Sequence, residues 1–504
     1  RQAFEAAQAL FKRWYEEQAR AGAAPTRLAL SLWAGETLRH QGVMEAQALV
    51  ALGATPVWDA TGRPTSIRLL SVAELGRPRV DVLLSITGSY RDQFPALMKL
   101  VDQAVAAAGE AEADNAIAAN NRVIAAELRQ AGLPAAQART LAQARVFGNP
   151  AGDYGTGIAD AVQDNGLQGG DGRPDPRLGQ LFLSTMSQPY VDGEPLAVPA
   201  GQARQALGAH LRHTDAALMS RSSHLYAMVS SDDPFQYLGG LAAAARSPAN
   251  TKGLALHVSQ LQDAAEAHTE TATQAIALEM QSRYLHPGWL KAQQAEGWAG
   301  ALQVLKAVQY SFGWQSIAPG TVRADHWQSF YDVLVKDKHQ LGVPAWLKQN
   351  PQAYAQALER LVQAERMGYW QPDAQTKQGL AALYRELTKD APLSNELAAV
   401  RRWTADQLPQ AVPALPVVPA AAPRPPAKAP ERAPATVSPV PTVRGLALQR
   451  VPDAPKPEPR AATQRSLEQA LAWVAMALLM SAGAMWQARR ATNNDNNLSP
   501  QGTA

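Results

Sequence analysis

Apolar positions in the first hundred residues fall into two kinds of run. Residues 27–33 (RLALSLW) and 80–86 (VDVLLSI) are short and continuous, as suits strands buried on both faces. Residues 39–52 and 92–108 instead carry apolar side chains at helical spacing. The order strand, helix, strand, helix predicts parallel strands joined by right-handed crossovers. From about residue 115 to 408 the chain reads as Ala-, Gln- and Leu-rich helix broken by Gly/Pro loops, with no repeat of 20 to 50 residues. The expected fold is therefore an α/β portion at 1–112 followed by a mainly α-helical portion at 113–408.

The pattern then changes. Residues 413–459 hold 14 prolines in 47 positions, which favours extended polyproline-like chain and cannot build a core. Fully extended, that stretch would reach on the order of 140 Å at roughly 3.1 Å per residue, and the linker as a whole is expected at 409–465. Within it, residues 443–451 (VRGLALQRV) lack proline and read either as a strand that docks elsewhere or as plain linker. Next comes a charge-free run of 17 residues, 470–486 (ALAWVAMALLMSAGAMW), with Trp473 and Trp486 near its ends. That length is at the short limit for a spanning helix, and tryptophans favour the membrane interface. One transmembrane helix is expected at 466–488, with a polar tail at 489–504. Arg489 and Arg490 favour a cytoplasmic tail, whereas Lys456, Arg460 and Arg465 argue the reverse. The long linker tips the expectation towards an inner-membrane anchor with a periplasmic body.

Composition narrows the chemistry. The 504 residues are 46% hydrophobic and 18% charged, an ordinary globular mix with room for about three domains. The net charge is only +3, with no basic stripe, so nucleic acid is not an expected partner. With no cysteine, disulfides, thiolate metal sites and iron–sulfur clusters are excluded. The chain opens at Arg1 inside a helix-like run, so it reads as the C-terminal part of a longer protein.

Ligands of open parallel sheets bind beyond the carboxyl ends of the strands. The first predicted strand runs into Gly35, Glu36, Arg39 and His40, and the second into Gly88, Tyr90, Arg91 and Asp92. If the strands are neighbours, Glu36, His40, Arg91 and Asp92 converge as a metal- or anion-handling site. The alternative is helix capping, for which Thr37 and Asp92 are suited. Residues 148–160 (GNPAGDYGTGIAD) form a glycine-rich loop around Tyr154, a weak match to a dinucleotide fingerprint. No phosphate-binding P-loop motif occurs, so no ATP site is expected. Residues 221–238 gather His224, Tyr226, Asp232, Asp233 and Tyr237, which suit divalent-ion ligation or proton transfer, or an ordinary Asp-Pro turn. His210 and His213 could share a helix face. His257, His268, His326 and His339 read as structural.

Seven runs occur in one order: LSLWAGETLRHQGVMEAQAL, AELGRPRVDVLLSITGSYRDQF, RVFGNPAGDYGTGIADAV, SRSSHLYAMVSSDDPFQYLGGLA, SRYLHPGWLKAQQAEGWAGA, YDVLVKDKHQLGV and ERMGYW. Over residues 27–370 they resemble the C-terminal half of the CobN/magnesium-chelatase large-subunit family. The resemblance implies a tetrapyrrole as substrate, insertion of a divalent metal (Co, Fe or Mg), and a partner AAA+ motor that hydrolyses ATP. The 154–158 run and the linker with its apolar segment are similar to a membrane-anchored, haem-associated branch. That likeness implies removal of metal, or ring binding without chemistry, with a proton-channel-type membrane partner. Ala34 stands where the family often has Gly. Metal insertion must strip two N–H protons from the ring. The resemblance implies Glu36, His40 and His224 as base and metal-handling groups, with Asp92 a further ligand. Arg39, Arg91 and Arg221 would pair ring propionates, and Tyr90, Tyr154 and Trp289 would pack on the macrocycle.

Overall fold

The strands of the sheet take alternate residues to opposite faces, and both faces are covered. The computed structural model describes residues 1–112, 115–163, 175–246, 253–389, 393 and 397–408, all within one compact unit, Arg1–Ala414. The linker, the 443–451 segment and the expected transmembrane segment lie outside the described residues. Among those described, no helix is long and apolar enough to cross a membrane.

Ten strands occur among the described residues: β1 (Arg27–Leu32), β2 (Ala54–Trp58), β3 (Pro64–Leu69), β4 (Asp81–Ile86), β5 (Val146–Gly148), β6 (Gln188–Val191), β7 (Glu194–Pro195), β8 (Ala216–Arg221), β9 (Ala255–Gln260) and β10 (His268–Thr271). Eight of them form one sheet in the order β10-β9-β8-β1-β4-β5-β6-β7, while β2 and β3 pair as a separate hairpin. The five central strands, β9 through β5, are parallel, and β10 and β6 flank them antiparallel. The α/β portion thus continues past residue 112, to Thr271. Sequence periodicity misses its later strands because β5 has three residues and β8 is rich in alanine.

Leu28, Leu30 and Leu32 of β1 pack with Leu84 and Ile86 against helices Gln2–Arg20, Val43–Leu52 and Pro95–Ala111. Ala29, Leu83, Phe147 and Met219 face the other layer, which includes helix Ala200–Arg212 and continues into the helical region. There Trp298–Ile317, Ala324–Leu334, Pro351–Arg366 and Ala374–Thr388 share one core containing Trp314, Trp327, Leu358 and Tyr384. Burying a large apolar side chain contributes roughly 1.5–3 kcal/mol. Both layers therefore hold the sheet firmly, and its loops inherit fixed starting points.

A fully buried charge cluster joins the amino ends of three adjacent strands. Asp81, the first residue of β4, accepts from Arg145 Nε at 2.8 Å and Nη2 at 3.1 Å, and from Asn120 at 2.9 Å. Arg27, the first residue of β1, lies with Nε 3.4 Å from the same carboxylate. Arg27, Asp81 and Arg145 are all 0% exposed. His210 accepts from Arg27 Nη2 at Nδ1 and donates through Nε2 to the Leu141 carbonyl at 2.9 Å. It is thereby a neutral imidazole, and burial beside two guanidinium groups holds its pKa well below the usual histidine value.

Removing one partner of such a buried ion cluster leaves uncompensated charge and costs about 3–5 kcal/mol. Asp81→Asn should therefore destabilise this unit by about that amount in urea unfolding. The pH dependence has a fixed sign. Asp81, held down by its two arginines, and His210 both have folded pKa values below their unfolded ones. The unfolded chain then binds more protons, so stability falls on acidification, first below about pH 6.5 for His210 and again below about pH 4 for Asp81. His210→Gln should flatten the upper window.

Candidate functional site

The carboxyl ends of β1, β4, β5 and β8 open on one edge, with β1 at the point where strand order reverses. In such sheets the crevice at that point is the ligand site. β1 runs through Trp33 into the short helix Ala34–His40. β4 runs into Gly88–Gln93, capped by the Thr87 side chain, which accepts from the Tyr90 amide.

Glu36 is buried, 2% exposed, directly beyond the central strand. Its Oε1 accepts from Arg39 Nη2 at 2.6 Å, and its Oε2 from Ser220 Oγ at the long limit of 3.5 Å. Arg39 also donates through Nε to Ser222 Oγ at 3.0 Å and stacks 5.0 Å from the Tyr226 ring centroid. It thus links the segment after β1 to the segment after β8.

His40 is placed differently from its expected role. Its Nδ1 accepts from the Gly42 and Val43 amides at 3.2 and 3.1 Å, so it braces the turn into the next helix. Burial lowers its pKa. A neutral ring with Nδ1 so engaged carries its proton on Nε2 and has no lone pair left for a metal. Tyr90 lies in the sheet core, 0% exposed, tilted on Phe94, and cannot pack on a ligand.

Arg91 is saturated. Its Nε and Nη2 bond Asp92 at 2.7 and 3.0 Å, and Nη1 bonds the carbonyls of Asn149, Pro150 and Asp153. Asp92 also accepts from Tyr154 Oη at 2.8 Å, and the Arg91 hydrogen bonds lower its pKa. The trio pins the glycine-rich loop to the end of β4 and leaves Asp92 poorly disposed to hold a metal. Tyr154 keeps an exposed ring, 65% accessible, at the rim. Gly155 and Gly157 both take positive φ, which suits residues without a Cβ.

The segment after β8 brings the second half of the site. Arg221 ends β8 and is 2% exposed. His224 sits on the exposed part of the loop, and its carbonyl accepts from Arg283 at 3.3 Å. Trp289 is half-buried, edge-on to Tyr284 at 5.2 Å, at the margin of the core. Gln236 accepts from Thr156 Oγ1 at 2.8 Å and donates to Asp233 at 3.2 Å, which ties the glycine loop to the acidic pair. Burial and the neighbouring Asp232 raise the Asp233 pKa. Tyr237 packs 5.8 Å from Trp33. Two π-helical segments, Phe235–Gly239 and Met280–Tyr284, border this edge, and such segments recur at functional sites.

Sequence reasoning does not single out Glu279. Both its oxygens accept from the Met228 amide, at 2.8 and 2.7 Å, and burial pushes its pKa up to about 7. It lines a cavity of about 340 Å³ with His224 and Arg283. Only its place just ahead of the 282–301 run hints at it. No group of three or more His, Asp or Glu side chains able to hold a metal ion occurs among the described residues. Glu36, His40, Asp92 and His224 thus form no ready ligand cluster. His210 and His213 do not pair as ligands either: His210 belongs to the buried charge cluster, and His213 contacts Glu127.

Compared with known protein families, residues 1–377 match CobN/Magnesium Chelatase. The chain belongs to that family. Among its relatives is the aerobic cobaltochelatase subunit CobN of Sinorhizobium sp, 30% identical over 371 residues, covering 73% of this chain and 28% of that protein. Another is the magnesium-chelatase H protein of Cereibacter sphaeroides, 30% identical over 366 residues, covering 72% and 29%. The catalytic subunit of cobaltochelatase from Mycobacterium tuberculosis superposes with a TM-score of 0.68 at 28% identity, over 77% of this chain and 32% of that one. The chain spans under a third of the length of these relatives. The CobN/magnesium chelatase match covers the whole sheet and all the edge residues described above.

A Cβ on Gly88 would lie 2.6 Å from Tyr154 Cδ1 and 2.7 Å from the Asp153 carbonyl. Gly88→Ala should therefore push the 149–157 loop outward and break the Tyr154–Asp92 bond. A cost of about 1–3 kcal/mol is expected, with faster hydrogen exchange confined to that loop.

Proposed function

We propose that this chain is the tetrapyrrole-binding part of a metal chelatase large subunit, and that the complete protein inserts a divalent metal, cobalt by analogy with the CobN relatives, into the ring. The single observation that carries the reading is Glu36: a buried carboxylate beyond the central strand, oriented by Arg39 and Ser220, in a chain of this family. Insertion exchanges two ring N–H protons for one M²⁺. Glu36 takes the two pyrrole N–H protons in turn, releasing the first before it accepts the second. Glu279, whose pKa sits near neutrality, is suited to pass protons outward through its polar cavity. His224 handles the incoming ion transiently from the exposed loop, while the exposed Tyr154 ring supports the macrocycle. Arg39 fixes Glu36 and so belongs to the catalytic geometry. With no three-ligand cluster among the described residues, the ion is bound only in passing, or with groups from elsewhere in the complete subunit. An AAA+ partner supplies the energy in this reading.

Glu36→Gln should keep ring binding, read as the shift of the Soret absorbance, while lowering the metal-insertion rate of the full-length subunit with its motor partners by about 100-fold or more. Insertion at the wild-type rate would refute the role.

A second reading rests on the charge-free run at 470–486. In it, that segment anchors the protein in the inner membrane with its body in the periplasm, a proton-channel-type partner replaces the ATP-driven one, and the reaction runs as removal of metal from haem or a related ring. Truncation after Pro459 should then move the protein from the membrane fraction to the soluble fraction. Protease added to spheroplasts should digest the intact protein's body. Protection of the body until lysis would overturn this reading.

A further inference from the structure

Four arginines lie at the carboxyl edge of the sheet, and their donors are spent very differently. Arg91 has all three guanidinium nitrogens engaged. Arg39 bonds Glu36 and Ser222. Arg283 bonds the His224 carbonyl and lies 5.4 Å from the Tyr284 ring centroid. Arg221 is the most buried, yet its Nε and Nη2 have no hydrogen-bond partner. Buried donors are nearly always paired, and leaving a charged one unpaired is costly.

The acids around Arg221 do not relieve it. Glu36 and Glu279 both act on it through space, as does Asp233. Glu36 is turned to Arg39 and Ser220, Glu279 to the Met228 amide, and Asp233 to Gln236. No ion pair joins any of them to Arg221 among the described residues. The guanidinium fork is thus held at the strand end by its surroundings with two donors open. Planar, bidentate pairing with a carboxylate is what that geometry fits.

The approach to Arg221 is also defined. The segment that follows it is held down by Arg39, through Ser222 Oγ and the Tyr226 ring. The same segment carries Leu225, 77% exposed, and Tyr226, 51% exposed, an apolar surface beside the buried charge. An apolar macrocycle bearing a carboxylate arm matches both features.

We infer that Arg221 is the seat for one carboxylate side chain of the ring, reached when the Ser222–Tyr226 segment lifts from Arg39, with Leu225 and Tyr226 against the macrocycle face. The inference rests on the tetrapyrrole reading above and specifies how the ring is oriented: one acid-bearing edge points to the end of β8.

The test compares protoporphyrin with its dimethyl ester, titrated by absorbance into the full-length subunit and into its Arg221→Gln and Arg221→Lys variants, with thermal melting as a check on folding. The wild type should prefer the free acid. Arg221→Gln should weaken the acid by about 10- to 100-fold while leaving the ester's affinity unchanged, and Arg221→Lys should fall between. Each protein's acid-to-ester ratio is internally normalised, so general loss of folded protein does not mimic the effect. Equal weakening of both ligands, an undiminished preference in Arg221→Gln, or no wild-type preference would overturn the inference while leaving the chelatase reading in place. Failure of the wild type to bind either ligand would overturn both.

Discussion

One buried carboxylate sets the register of the sheet. Asp81 is reached by Arg27 from β1 and by Arg145 from the residue before β5, and Asn120 Nδ2 donates to it as well. A charge that deep is tolerated only with these partners in place. A one-residue slip of any of the three strands would pull a guanidinium off the carboxylate and reverse which side chains face each layer. The opposite ends of the same strands carry Glu36, Gly88 and Asn149. The cluster at the amino edge therefore fixes the relative heights of the groups at the carboxyl edge, a strand's length away.

How far the sequence reveals this varies with the kind of signal. β1 and β4 are legible as apolar runs, and the residues just past them follow from the rule for parallel sheets. Glu36 and Arg39 are placed at that edge in this way. The glycine-rich loop and the polar 221–238 cluster point to Tyr154 and His224, and the family-specific runs add Arg221. The later strands are hidden because alanine and short length erase their periodicity. Asp81 and Arg27 look like ordinary polar strand boundaries, and nothing local says that their partner lies at residue 145. His40 and Tyr90 show the opposite error. Both have suitable chemistry at the right place in the chain, but one braces a turn and the other fills the core. Sequence position selects an edge of the sheet, whereas the direction of a side chain there depends on what it must satisfy.

The edge itself is built largely from groups that hold other groups. Arg91 and Asp92 clamp the glycine loop, Gln236 joins that loop to the acidic pair, and Trp314 Nε1 bonds the Met228 carbonyl at 2.8 Å, while the Met228 amide meets Glu279. The helical region is thereby tied to the site through the segment after β8. A shift of helix Trp298–Ile317 would be felt at Met228 and so at Glu279, a route by which a force applied far away could reach the crevice.

The outer strands have their own consequence. β7 has two residues, and one of them, Pro195, offers no backbone donor. β10 has four, and helix Gln2–Arg20 lies against it, with Arg13 bonding the Ala267 carbonyl beside that strand. Among the described residues, neither margin presents a long row of free amides and carbonyls. A second polypeptide has little to zip onto, so strand addition is disfavoured at both margins. A neighbouring chain would instead have to engage the rigid helices and the loops they carry.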